Sequence, residues 1–481
     1  MSFVSIQFLL FLPIVFLLYW FVVKPAKWQN LLLVGASYVF YGWWDWRFLL
    51  LMGFTSACCY AGGRLIEKYE GQRSIQKGIT AANVVINLAI LGVFKYYNFF
   101  VANLDALLSH MGMAVDWPTA HIILPVGISF YTFQAIGYCV DVYKKKVSAE
   151  RNVVDFFAFI SFFPQLVAGP IERASDMLPQ FKKKRTFDYA RAVDGSRQML
   201  WGMFKKVVIA DNCAPFVNTA WENVDLTTPF NLMVVTVLFS FQVYCDFSGY
   251  CDIAVGCARL FGFNLRANFN YPYFSRNIPE FWRRWHITLL GWFRDYVYFP
   301  LGGSRCSKLR CCFNTIFVFV LSGLWHGPDW SFVCYGCLHG LMCSFFVLTG
   351  IKTKYEHNVG WQRMLPSIKE FLMMVGTFAL VSLARVMFRA QSMGEAWFYC
   401  RRLFTLDVFN PTGGIMGLKI IPWCVLLIMV EWVKRNNNHV LELSGHGLMR
   451  YQWARWALYV ALVVAIVLCQ SPKQDFIYFQ F

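Results

Sequence analysis

The chain has 481 residues, of which 58% are hydrophobic, 19% aromatic and only 15% charged. Soluble domains carry about 25% charged and about 45–50% apolar residues, so the composition excludes an ordinary soluble protein and points to a membrane as solvent. The formal charge of +17 falls mostly in short loops between apolar runs, where topology accounts for it. No basic stripe on a soluble domain suggests nucleic acid, and what remains of the charge suits an anionic, phosphate-bearing ligand.

A transmembrane helix needs roughly 20 apolar residues. Phe3 to Val23 is such a run, closed by Lys24 and Lys27. No basic residue precedes it and no small-residue cleavage site follows, so it reads as a retained first helix with the N-terminus outside. Further spans are predicted at 29–46, 47–63, 79–97, 122–141, 195–217, 230–262, 311–328, 329–350, 366–390, 415–433 and 456–471. Loops rich in Lys and Arg, 64–77, 144–151, 182–191 and 434–435, read as cytoplasmic. The stretches 98–121 and 221–231 lack Lys and Arg and read as external. Segment 153–169 is apolar between two cytoplasmic loops, and Pro164, Gly169 and Pro170 would break a spanning helix, so it is expected to enter and return. Segment 171–191 mixes basic residues with Ile171, Met177, Leu178 and Phe181; it reads equally as a surface-lying amphipathic stretch or as a solvated loop. No internal repeat or long linker divides the chain, which reads as one membrane domain over 1–481. Most of the 16 cysteines lie in apolar runs and read as small packing residues. Cys334 and Cys337 form a CxxC with no second CxxC to complete a zinc site, so no metal is expected.

Residues 275–305 do not suit lipid. Arg276, Glu280, Arg283, Arg284, Arg294 and Asp295 lie close together. A charge at a helix centre in lipid costs about 2.5–3.5 kcal/mol. Six unpaired would cost on the order of 15–20 kcal/mol on that scale, so the stretch lies at the interface or lines a polar cavity. Pro279 suits a first helical turn and Glu280–Arg284 an i,i+4 pair. Trp282, Trp285 or His286, Leu289 and Phe293 would share one helical face, with Arg283 and His286 lining a cavity. The bland alternative is a snorkelling interfacial helix with tryptophan anchors.

Residues 311–340 end an apolar run on Trp325-His326-Gly327-Pro328-Asp329-Trp330, and a second His-Gly follows at His339-Gly340. Burial favours neutral imidazole, the form that can act as a base. Gly327 and Pro328 break the helix, which is tolerated at depth only inside protein or against a cavity. A third polar patch is Tyr244 to Asp252. Its carboxylates need partners: Asp246 is placed with Arg283 or Arg284, or beside a histidine.

Together these motifs resemble the membrane-bound O-acyltransferase superfamily, nearest to its bacterial polysaccharide branch. The resemblance rests on Phe163-Pro-Gln-Leu-Val-Ala-Gly-Pro170-Ile-Glu, Asp246-Phe-Ser-Gly-Tyr250-Cys-Asp252-Ile-Ala and Phe281-Trp-Arg-Arg-Trp-His286-Ile-Thr-Leu. It continues through Arg294-Asp-Tyr-Val-Tyr-Phe-Pro-Leu-Gly-Gly303, Gly323-Leu-Trp-His326-Gly and the ending Phe476-Ile-Tyr-Phe-Gln-Phe481. It implies an all-α integral membrane protein of about ten to twelve transmembrane helices, with re-entrant and interfacial helices enclosing a tunnel. It also implies acyl transfer from a thioester to a hydroxyl, with His326 and His286 as the catalytic histidines. Arg283, Arg284, Asp246, Trp285, Trp325 and Arg305 become tunnel candidates, and Ser322 a small packing residue. The expected donor is cytoplasmic acetyl-CoA, with no bound cofactor. The expected acceptor is a polysaccharide outside a bacterial inner membrane, reached with a periplasmic esterase-like (SGNH) acetyltransferase and a polysaccharide assembly complex. D-alanyl transfer from a carrier protein to teichoic acid shares nearly all these motifs. A glycolipid transporter would show inverted repeats, and a non-catalytic scaffold would not need His326.

Overall fold

Helix is the only regular secondary structure among the described residues of the computed structural model, which are all except 114–121, 356, 361–362, 412–413, 444–446, 473, 475 and 478–481. The stretch 98–121, read as external, and the C-terminal motif 476–481 therefore fall partly outside the described residues.

The chain divides into two compact units, Met1–Ala192 with Cys257–Arg266, and Val193–Gly256 with Ala267–Phe481. The first begins with α1 (Ile6–Leu17, extended by a wide turn Leu18–Val22), α2 (Ala26–Gly42), α3 (Arg47–Lys68), α4 (Arg73–Leu91) and α5 (Tyr97–His110). It continues with α6 (Ile128–Tyr143), α7 (Val153–Ser161), α8 (Phe163–Leu166) and α9 (Ala174–Lys182). Helix α3 packs on α4 and α6. Small residues allow the approach: a Cβ on Gly63 would lie 2.5 Å from the Tyr138 hydroxyl oxygen. Nine-residue α7 spans only about 14 Å at 1.5 Å per residue, less than half of a bilayer core. Its cap is Asn152, whose side chain accepts from Val154 N at 3.0 Å. The chain turns at Phe162, and Ser37 on α2 accepts from Phe163 N at 3.0 Å. In α9, Met177, Leu178 and Phe181 are buried while its last residue, Lys182, and the following Lys183 and Lys184 are exposed, an amphipathic division. Glu172 before it is buried and accepts from Arg266 N at 2.6 Å; burial pushes its carboxyl up to about 7.

Helix α10 (Tyr189–Phe204) leads into the second unit, followed by a wide turn Lys205–Ala210, α11 (Asp211–Glu222) and α12 (Pro229–Leu260). The predicted apolar span 195–217 is thus a helix widened at its centre. Its Lys205 reaches Asp252 at 2.7 Å, and its Lys206 reaches Asp246 at 2.7 Å and Asp211 at 2.8 Å. Next come α13 (Ile278–Arg284), α14 (Ile287–Phe293), α15 (Lys308–His326), α16 (Trp330–Thr349), α17 (Ile368–Arg389), α18 (Met393–Leu403), α19 (Ile421–Lys434) and α20 (Gln452–Leu468). Asn277 caps α13, accepting from Glu280 N at 2.8 Å, and Pro279 occupies its first turn. The expected single helix through 282–293 is instead two short ones, because Trp285 is extended and His286 is left-handed at φ +46°.

Six helices among the described residues are long and apolar enough to cross a membrane: 47–68, 73–110, 229–260, 308–326, 330–349 and 368–389. Shorter apolar helices cover 6–22 and 452–468. All sixteen cysteines are free thiols.

Helices α15 and α16 form an unusually close hairpin. A Cβ on Gly323 would sit 2.1 Å from the Phe332 carbonyl oxygen, and one on Gly336 2.2 Å from the Phe319 carbonyl oxygen. Both obstacles are backbone, so the helices would have to part. Gly323→Ala is expected to cost about 1–3 kcal/mol and to displace His326 one turn away. Gly376→Ala, where nothing lies within 4 Å of the added carbon, is expected to be neutral or slightly stabilising. Unfolding midpoints of the two purified variants check this.

Candidate active site

His326 is the last residue of α15. Gly327 continues in an extended conformation, and Asp329 caps α16 by accepting from Ser331 N at 2.7 Å. The predicted break is real, and the role of Asp329 is this cap. The His326 ring is buried at 5% exposure among Trp325 (centroids 5.0 Å apart), Phe388 (5.2 Å) and Tyr335 (6.4 Å).

His286 reaches the same place by a different device. Its positive φ is unusual for a residue with a side chain and costs about 1–3 kcal/mol. Asn268 holds it there. The Asn268 carbonyl accepts from Ile287 N at 3.0 Å, and its side-chain oxygen accepts from Thr288 N at 3.1 Å and Thr288 Oγ1 at 3.0 Å. The turn aims the ring at Phe247 (4.7 Å), Trp325 (5.8 Å) and His326 (6.3 Å). Burial pushes His286 down to about 3, so it is neutral throughout the physiological range. The two imidazoles therefore share one aromatic cage, with Trp325 between them in contact with both.

Trp285 lies beside this cage. It stacks on Phe281 at 5.4 Å, and the Arg385 guanidinium covers it at 4.5 Å. The charged candidates go elsewhere. Arg283 is exposed and donates to the Thr353 carbonyl; it does not line a cavity with His286, because the chain turns between them. Arg284 is buried on Glu280 at 2.9 Å and on Asn358 at 2.9 Å. Arg276 holds the same Glu280 at 2.9 Å. Arg305 is exposed, just after the Gly302–Gly303 turn. Asp246 pairs with neither Arg283, Arg284 nor a histidine. It takes Lys206 at 2.7 Å and accepts from Ile477 N at 2.7 Å. That second bond ties down the C-terminal segment, where Phe476 packs 6.0 Å from Phe247, the ring under His286. Ser322 is buried at 3% and lies beside Gly323 on the close hairpin, a packing position.

Phe247, Tyr335, Phe388 and Arg385 went unremarked as site residues in the sequence. Arg385 alone left a signal, a cation inside an apolar span; the aromatic rings are indistinguishable in sequence from ordinary core.

A paired, buried and sterically held set of imidazoles has the chemistry for proton transfer. A family model described as membrane-bound O-acyltransferase matches residues 144–387. The chain is 40% identical to a probable alginate O-acetylase of Azotobacter vinelandii, over 81% of this chain and 74% of the relative. It is 37% identical to the corresponding Pseudomonas aeruginosa protein, over 87% of this chain and 79% of the relative. A peptidoglycan O-acetyltransferase of Helicobacter pylori is 32% identical, over 98% of this chain and 95% of the relative. The motifs that carry His286 and His326 both lie inside the matched region. The chain is an acyltransferase with several candidate membrane spans, and it belongs to the membrane-bound O-acyltransferase family.

Proposed function

We propose that this acyltransferase moves an acetyl group from cytoplasmic acetyl-CoA across a bacterial inner membrane, for O-acetylation of a polysaccharide outside. The observation that carries the reading is the His286–His326 pair, 6.3 Å apart between ring centroids in a buried aromatic cage. The relatives named for acetylating alginate and peptidoglycan support acetyl as the group and a glycan as the acceptor.

In this reading the thioester arm enters a tunnel from the cytoplasmic side and the acceptor from the other. His326 takes the proton of the acceptor hydroxyl as its oxygen attacks the thioester carbonyl. The C–S bond breaks, and the leaving thiolate takes up the proton. The cage excludes bulk water and so protects the thioester from hydrolysis. His286, held neutral, orients the reacting groups beside His326. Trp285 and Trp325 wall the tunnel, while Arg283 and Arg305 attract the anionic end of the donor at its mouth. Arg284 and Asp246 act indirectly, through the ion pairs that hold these elements. A periplasmic esterase-like acetyltransferase receives the acetyl group and passes it to the polymer within an assembly complex.

The test supplies acetyl-labelled CoA to inverted inner-membrane vesicles from cells that make the chain together with its polymer. Ester-linked label is expected in the polymer inside the vesicles, and it should disappear when the chain is deleted. Labelling only from a D-alanyl carrier-protein thioester would replace the reading with D-alanyl transfer. No label from either donor would sink both.

A further inference from the structure

Arg385 lies near the end of an apolar span, 1% exposed, and no carboxylate pairs with it among the described residues. Its Nη1 donates to the Tyr273 hydroxyl at 2.7 Å and lies 3.5 Å from the Ser240 carbonyl oxygen. Its guanidinium covers Trp285 at 4.5 Å and Phe281 at 5.8 Å. Its Nη2 has no hydrogen-bond partner among the described residues.

A second buried donor flanks the same turn of α13. His339 is fully buried, and its ring stands edge-on to Trp282 at 4.8 Å and to Tyr335 at 4.7 Å. Trp282 Nε1 donates to His339 Nδ1 at 3.1 Å. An indole N–H only donates, so Nδ1 must accept, and the ring proton sits on Nε2. That Nε2 also has no hydrogen-bond partner among the described residues. Buried donors are almost always satisfied in native structures. Two of them, on neighbouring helices packed against one turn, call for a group that only accepts.

The position selects the acceptor. Tyr335, which touches His339, also lies 6.4 Å from His326, and Phe388, one turn beyond Arg385, lies 5.2 Å from it. The two donors are thus one side chain removed from the His286–His326 pair. The rings beside both donors are aromatic, so a neutral carbonyl reaches them at far lower desolvation cost than a phosphate. Resting on the thioester-donor reading above, we propose that Arg385 and His339 bind a carbonyl oxygen of the donor's acyl-thioester arm and so position the thioester for His326. No bond is made or broken at these two donors.

The experiment uses the full chain in nanodiscs, with His326→Ala as background to prevent turnover and acetyl-CoA as the calorimetric titrant. Adding Arg385→Met or His339→Phe is expected to weaken acetyl-CoA binding by about 10-fold or more, the range for loss of a hydrogen bond to a charged or buried group. Arg385→Lys and His339→Gln, which restore a donor, are expected to recover most of the affinity. Unchanged affinity in both the methionine and the phenylalanine variants, with unchanged unfolding midpoints, would overturn the proposal. If Arg385→Met does not fold, the His339→Phe result decides alone. A folded His326→Ala background that does not bind acetyl-CoA at all brings down the donor reading itself, and this proposal with it.

Discussion

His326→Ala and His326→Gln are expected to lose O-acetyl transfer by about 10²–10⁴-fold, the usual contribution of a positioned general base, with normal amounts of folded protein. The physical case rests on the cage. Trp325, Phe388, Tyr335 and His286 surround the ring, so water has little room to act as a substitute base. Glutamine nearly preserves the volume and can hydrogen-bond, but it cannot take the proton. It therefore separates chemistry from packing, which alanine alone would not. His286→Asn is the companion variant, because asparagine tolerates the left-handed conformation that Asn268 imposes. It should fold normally and show a smaller loss. Ester-linked acetate per unit of polymer, normalised to membrane abundance of the chain, is the measurement. Wild-type acetate in both His326 variants would show that this histidine is structural.

Glu280→Gln is expected to be the most damaging single change to stability, at about 3–5 kcal/mol, the cost of breaking a buried ion pair by removing one partner. Glu280 accepts from two buried guanidiniums, Arg276 and Arg284, each at 2.9 Å, with all three side chains at 10% exposure or less. Arg276 keeps a second carboxylate, Glu370, at 3.6 Å, so Arg284 would suffer more. The surface pair Arg64–Glu67, at 2.6 Å but with side chains 39% and 29% exposed, provides the contrast. Arg64→Ala should cost less than about 1 kcal/mol. The pH dependence carries a definite sign. Burial alone would raise the Glu280 carboxyl, but Arg276 and Arg284 hold it below the usual glutamate range. Its stabilisation is therefore present above the ordinary glutamate pKa of about 4.3 and is lost as the pH falls through the folded-state value. The Glu280→Gln variant should show a weaker loss of stability on acidification than the wild type, read from unfolding midpoints across pH 3–7.

Much of this was legible without coordinates, for reasons local to the chain. An apolar run needs no partner to declare its solvent, so the spans at 47–63, 230–262, 311–328, 329–350 and 366–390 correspond to long helices in the structure. Gly327 and Pro328 stop a helix by their own backbone chemistry, so His326 at a helix end was foreseeable. The i,i+4 geometry of Glu280 and Arg284 is equally local. Arg283 is the instructive failure. Helical spacing put it beside His286, but three residues of spacing mean nothing once the helix stops at Trp285. Asp246 failed for another reason. Its partner, Lys206, is forty residues earlier on another helix, and pairing at that separation leaves no trace in a single sequence.

The sequence by itself determined that the chain needs a membrane and that a helix stops at His326, because hydropathy and backbone restriction act within a few residues. Only the tertiary structure decided that the His286 and His326 rings meet, that Lys206 rather than an arginine takes Asp246, and that Arg385 and His339 flank one turn of α13. These facts depend on close helix approach at Gly323 and Gly336 and on the strained turn pinned by Asn268. Such contacts join residues tens to hundreds of positions apart, and packing alone selects among them.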